Sequence, residues 1–224
     1  MIQGGKEINM KITDTLYSEV EALWDKAAEK EILIKMADGS LDENRYSRYM
    51  LQDYYYLLEY KDILERLLKL SDDSEVSEFL KMAVDVTVYE IESVHLPAMK
   101  KLGISEDTIK NTGKNQVIAD YIRFYHDTID KSGLLGGFTA LLQCCWNYAY
   151  LGEKLCKKYG EKIEKSYYKF WFDAYTSKEY VETNEKWQSI VNRLTTDIDE
   201  NTKDTLCRIF KTCAEFENKF WDVL

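Results

Sequence analysis

The chain has 224 residues, of which 45% are hydrophobic and 31% charged, with a formal net charge of −10. That length and balance fit one soluble globular domain with a real core, and the acidic excess argues against nucleic-acid binding, whose footprint is normally basic. No apolar run approaches the roughly 18 residues of a membrane span, and a single proline with ten glycines leaves few helix breakers.

Read in chain order, "MIQGGKEINM" has no apolar centre and is not a signal peptide. Helical periodicity begins after Met10, a candidate second start, so residues 1–10 are expected to be an N-terminal extension of one domain spanning 1–224. A first helix is expected from about Asp14 to Glu29, with Leu16, Val20, Leu23, Trp24 and Ala27 on one face. "MADGSLDENR" reads as a turn, in which Ser40 and Glu43 have capping-box spacing. A long helix should follow to about Leu70. "SDDS" then caps a third helix, expected to run from Ser74 to about Leu102 and to kink or break at Pro97. A short helix near Glu106 leads to one from about Asn115 to Lys131, and "SGLLGG" punctuates. Further helices are expected over Phe138–Tyr159, Ile163–Tyr175, Ser177–Ile198 and Glu200–Leu224. No stretch alternates as a strand does, so the expected fold is all-α, a single helical bundle.

Several polar side chains fall on the inward faces. In "LQDYYYLLEY" the carboxylate of Asp53 is in helical register with Tyr46, Tyr49, Met50, Tyr56 and Tyr60. Burying a carboxylate is costly unless it is paired, so Asp53 needs a structural partner or a ligand. Glu217 repeats the pattern among Phe210, Ala214, Phe220, Trp221 and Leu224. Cys144 shares a face with Leu141 and Tyr148, Tyr121 with Val117 and Phe124, and Tyr175 lies one turn beyond Trp171. Each has an ordinary reading: inert core thiol, packed tyrosine with a satisfied hydroxyl, capped or paired acid. Together they suit a pocket for a flat nitrogen heterocycle, with rings to stack on it and carboxylates to bind its amino and ring nitrogens. The five cysteines are odd in number and form no metal-type CxxC pair, which points to free thiols in a reducing cytoplasm.

Four segments, "DGSLDENRYSRYMLQDYYYL", "GGFTALLQCCWNYAYLGEKL", "YKFWFDAYTSKEY" and "FENKFWD", resemble in order and separation the TenA family, the thiaminase II enzymes. The resemblance covers nearly the whole chain. It implies a haem-oxygenase-like helical fold, a homotetramer and no metal or organic cofactor. It also implies a small aminopyrimidine substrate, either the aminomethyl pyrimidine formed by thiamin breakdown or thiamin itself, hydrolysed to the hydroxymethyl pyrimidine. Carried over by position, Cys144 in "LLQC" matches the nucleophile of the cysteine-type branch. Asp53 in "LQD" matches the pyrimidine-binding aspartate, and Glu217 the terminal acid that exchanges a proton with the ring. Tyr56, Tyr121, Tyr148 and Tyr175 match active-site tyrosines, Tyr56 being the candidate partner of the thiol, and Tyr60 matches the aromatic position that follows them. The chain departs from the family in three places. Gln143 stands where proline is usual, "KEILIKMADG" lacks the usual "HPF", and "YEIESVHL" alters an acid-and-histidine spacing.

Two rivals remain open at this stage. Glu92 and His95 have the E-x-x-H spacing of di-iron helical proteins, although the only other histidine, His126, follows Arg123 rather than an acid. A protein that binds the pyrimidine without turnover, as a regulator, fits the same inward residues.

Overall fold

A computed structural model describes residues 11–224; the expected N-terminal extension and Met10 lie outside the described residues. The regular elements among the described residues are all helices, with no strand. In order they form α1 (Ile12–Ala28), α2 (Glu31–Asp38), α3 (Glu43–Leu70) and α4 (Ser74–Tyr89). A π-helical turn (Glu90–His95) leads into α5 (Leu96–Lys101). Then come α6 (Glu106–Thr112), α7 (Gln116–Ile163), α8 (Lys169–Thr176), α9 (Lys178–Leu194) and α10 (Glu200–Asp222). α7 forms the spine: α3, α1, α2, α8, α9 and α10 all pack on it. Their apolar faces meet in one continuous core that includes Leu16, Trp24, Leu64, Tyr125, Phe138, Phe172 and Phe210. None of the helices is long and apolar enough to cross a membrane.

Local chemistry sets most of the boundaries. Asp73, Asn115 and Ser177 accept N–H bonds from Val76, Ile118 and Tyr180 at 3.0, 2.9 and 3.2 Å, satisfying donors that the first helical turn leaves free. At α3 the cap differs from the one expected. Asp42, not Ser40, accepts from Arg45 N at 3.0 Å. α2 is a separate helix ended by Gly39 at φ 78°, and Leu41 N–H reaches back to Lys35 O. The chain must turn through residues 40 and 41, and bury Leu41, before α3 begins.

Three other junctions depart from the sequence reading. Pro97 does not break the third helix. The backbone widens ahead of it into a π turn, with Leu96 N–H bonded five residues back to Ile91 O, and Pro97 sits in the first turn of α5, where its missing donor costs little. "SGLLGG" interrupts helix only at Gly133 (φ 60°, ψ −153°), conformational space open to glycine alone, and helix resumes at once. The segment 164–168, expected to be helical, is a turn drawn onto α2: Ser166 Oγ donates to Met36 O at 2.6 Å and Tyr168 OH to Leu41 O at 2.8 Å.

Candidate active site

The inward periodicity of α3 carries Tyr46, Tyr49, Met50, Asp53, Tyr56 and Tyr60 into the protein interior, where all six are buried. Opposite them α7 presents Cys144 and Tyr148, and α8 contributes Tyr175. Between these helices lies an open cavity of about 430 Å³ bordered by Asp53, Tyr56, Tyr60, Cys144, Tyr148 and Tyr175, together with Cys145, Glu90 and Tyr180. Its outer part is walled by Met82, Val86 and Tyr89 of α4 and Glu179 and Thr183 of α9.

The other two residues singled out in the sequence do not border this space. Glu217 and Tyr121 face a separate void of about 10 Å³, enough for about one water, whose remaining wall includes Asp53, Tyr56 and Tyr148. Asp53, Tyr56 and Tyr148 therefore form a partition between the two. Cys144 stands at that partition. Its thiol senses both Tyr56 and Glu217.

The electrostatics follow from burial. Glu217 is 3% exposed, and burial raises its carboxyl pKa to about 7. The neighbouring Cys144 and Tyr121 pull it down, while the Asp53 charge pushes it up. Burial likewise lifts the Cys144 thiol well above its ordinary value, and the Glu217 charge adds to this, against a smaller opposite effect of the Tyr56 hydroxyl. The resting group is a thiol with an acid beside it. Tyr56 also exchanges a hydrogen bond of 2.9 Å with Tyr125, which stacks on Tyr121 with ring centroids 4.4 Å apart. Tyr121 in turn stacks on Phe216 at 4.9 Å.

The partner that Asp53 requires is His95. Its Nε2 lies 2.8 Å from Asp53 Oδ2, and both side chains are almost fully enclosed. Burial works against the imidazolium, but the Asp53 hydrogen bond and charge, with Glu90, outweigh it and raise the His95 pKa. Through Nδ1, His95 also approaches the Glu90 carbonyl at 3.4 Å. The π turn separates His95, which is buried, from Glu92, which is exposed. The E-x-x-H pair of the di-iron reading does not present two ligands to one point, and no group of three or more His, Cys, Asp or Glu side chains among the described residues is placed to hold a metal ion.

Gln143 packs in the core with no solvent exposure. Its Oε1 lies 3.4 Å from the Tyr121 hydroxyl, which donates to it, and its Nε2 has no partner among the described residues. The helix runs through this position without interruption, so α7 needs no proline to present Cys144. Cys145 contacts the Tyr60 hydroxyl at 3.3 Å, and its carbonyl accepts from Tyr180 OH at 3.1 Å. Periodicity did not single out His95, Glu90, Tyr125 or Tyr180. Tyr125 had a visible signal, standing one helical turn after Tyr121 on the same face. Glu90 and His95 sit on the π turn and Tyr180 on α9, and only tertiary packing carries Glu90 and Tyr180 to the cavity and His95 to Asp53.

Comparison with known proteins identifies the chain's relatives. The TENA/THI-4/PQQC family model matches residues 17–224. An aminopyrimidine aminohydrolase of Halalkalibacterium halodurans is 26% identical over 96% of this chain and 95% of its own length. One from Helicobacter pylori is 24% identical over 96% and 98%. Among solved structures, a TenA homologue protein from P. horikoshii superposes with a TM-score of 0.83, at 26% identity and with 96% of this chain and 98% of that chain covered.

Proposed function

The chain belongs to the TENA/THI-4/PQQC family, and from that premise we propose that it is an aminopyrimidine aminohydrolase of the thiaminase II type. It hydrolyses a 4-amino-2-methylpyrimidine at its 5-methylene carbon, releasing an amine or thiazole and leaving the hydroxymethyl pyrimidine. The observation that carries this reading is the meeting of Asp53, Cys144 and Glu217 around one tyrosine-walled partition. The full-length relatives named aminopyrimidine aminohydrolase support it.

The residues suit covalent catalysis with internal proton transfer. Asp53, held by His95, accepts from the ring amino group and orients the ring. The proton of the Cys144 thiol passes to Glu217 and on to a ring nitrogen, so the thiolate forms as the ring becomes electrophilic. The thiolate adds to the ring carbon beside that nitrogen, and the electrons released expel the substituent from the 5-methylene carbon. Water adds there and gives up one proton to the released amine, or to solvent when thiazole leaves; the ring proton returns through Glu217, and the thiolate departs. Tyr56 donates to the thiolate while it exists. Tyr60, Tyr148 and Tyr175 enclose the ring from the cavity side, and Tyr121 backs it on the Glu217 side. A pKa near 7 lets Glu217 both give and take a proton at neutral pH. The mechanism calls on no metal or organic cofactor.

The amine-bearing pyrimidine is the preferred substrate, because the charged and hydroxyl groups cluster at the partition while the outer cavity is largely apolar. The working form is a homotetramer in the cytoplasm. An exposed apolar stripe of Met82, Val86 and Tyr89 along α4 suits an interface, and the five free thiols suit a reducing compartment.

A product assay tests the reading. Wild-type protein is expected to convert the aminomethyl pyrimidine with a higher kcat/KM than thiamin. Cys144→Ser should lose at least about 100-fold in kcat while still binding the pyrimidine. Cys145→Ser, about 100° around the helix, should keep most activity. Full activity in Cys144→Ser refutes the nucleophile, and a clear preference for thiamin refutes the amine-salvage substrate.

A further inference from the structure

The large cavity holds two acids that the mechanism has not used, and only one of them is sheltered from solvent. Of its three carboxylates, Asp53 is engaged by His95 and Glu179 is exposed at the rim. Glu90 is half-buried on the wall, with no side-chain hydrogen bond or ion pair to any described residue. It opens the π turn, a distortion that recurs at functional sites. The same turn supplies His95, whose imidazole lies between the Asp53 carboxylate and the Glu90 carbonyl.

Ring chemistry says what faces Glu90. Around a 4-amino-5-methylene pyrimidine the amino carbon, the substituted carbon, the attacked carbon and the protonated nitrogen follow one another. Asp53 takes the first of these, Cys144 the third and Glu217 the fourth. The 5-substituent therefore leaves the ring between Asp53 and Cys144. Glu217 faces the small void of about 10 Å³, which has no room for that substituent, whereas the large cavity of about 430 Å³ has. The leaving group and the water that replaces it must both occupy that space, and neither Glu217 nor Asp53 is free to serve them there.

We propose that Glu90 is a second acid–base group of this enzyme, binding the departing ammonium and deprotonating the water that replaces it. This rests on the hydrolase reading above. As a carboxylate, Glu90 pairs with the substrate's ammonium. The carbon–nitrogen bond breaks with its electrons going to nitrogen, giving ammonia and an exocyclic methylene on the Cys144 adduct. Water then bonds to that methylene and loses one proton to Glu90. Glu90 hands this proton to the ammonia, which leaves as ammonium. The sum is the aminomethyl pyrimidine in its ammonium form plus water giving hydroxymethyl pyrimidine plus ammonium.

The surroundings are consistent with that duty. Burial raises the Glu90 pKa to about 7, with the His95 charge lowering it and the Asp53 charge raising it. Asp53 and Tyr49 of α3, Cys145 of α7, Tyr175 of α8, Tyr180 of α9 and His95 are the titratable groups that sense it. None of them is lysine or arginine.

The test is Glu90→Gln, which keeps the shape and removes the base, assayed with the aminomethyl pyrimidine in the presence and absence of azide. Azide is a nucleophile with no proton to lose. The variant is expected to bind the hydroxymethyl product as wild type does, to lose about 100-fold in kcat, and to make azidomethyl pyrimidine when azide is added, at a rate above its residual hydrolysis. Hydrolysis by Glu90→Gln within twofold of wild type overturns the inference and leaves the hydrolase reading standing. So does a slow variant that azide does not rescue. Wild-type protein that makes no hydroxymethyl pyrimidine overturns the hydrolase reading itself, and this inference with it. A Glu90→Asp variant, shorter but still basic, should recover part of the lost kcat and covers the case of a misfolded Gln variant.

Discussion

At the scale of single residues, the candidate site is a set of buried polar groups that each find a reason to be buried. Asp53 is 5% exposed and has His95; Glu217 is 3% exposed and has Cys144 and Tyr121. Glu217 bears a cost that can be measured. Its carboxyl rises from 4.5 to about 7 on folding, because burial disfavours the anion. The stability this contributes is fully present below pH 4.5 and is lost as pH rises through about 7. A shift of that size corresponds to roughly 3 kcal/mol. Glu217→Gln cannot ionise, so its stability relative to wild type should climb by about that amount between pH 4 and pH 8. Urea unfolding of both proteins at the two pH values checks it. A difference that stays constant with pH refutes the buried, raised acid.

At the scale of elements, the close approach of α3 to α7 positions Cys144. Gly137 lies seven residues before Cys144 on the same face of α7. A Cβ built there would stand 2.6 Å from both Leu67 Cδ2 of α3 and Ile129 Cγ1. Alanine in place of a helical glycine ordinarily gains up to about 1 kcal/mol, but here the Ile129 and Leu67 side chains must shift within a packed core, and overpacking of this kind costs about 1–3 kcal/mol. Gly137→Ala is therefore expected to be destabilised by about 1–2 kcal/mol. Gly160→Ala, where a Cβ meets nothing within 4 Å, should be neutral or slightly stabilised. Denaturant midpoints decide it, and a stabilised Gly137→Ala would sink the packing argument. The π turn is the other decisive element. It absorbs Pro97 without a break and rotates His95 toward Asp53 while Glu92 stays in solvent.

At the scale of the whole molecule, the expectation of a homotetramer leads to a mass prediction. Light scattering after gel filtration should give four times the chain mass of 26.4 kDa. Substitution of Val86 or Tyr89 by lysine should lower that mass, since a charge placed in an apolar interface is left unpaired. A monomer at micromolar concentration, or variants unchanged in mass, refutes the α4 interface.

The amino-acid sequence by itself determined the all-α class and the inward faces, because helical periodicity is local: a residue three or four places from a core side chain shares its direction. That is why Asp53, Tyr56, Cys144, Tyr148 and Glu217 were legible as interior groups before any packing was known, and why the four quoted segments pointed to a family. The tertiary structure decided what those groups meet. His95 answers Asp53 across 42 residues of chain. Glu217 and Tyr121 fall behind a partition rather than in the main cavity. Glu90 becomes a cavity acid only because the π turn carries it onto the wall. Periodicity gives the direction in which each side chain leaves its own helix. Partners and enclosed space depend on how separate helices are rotated, spaced and locally unwound against one another, and that is a property of the packed core as a whole.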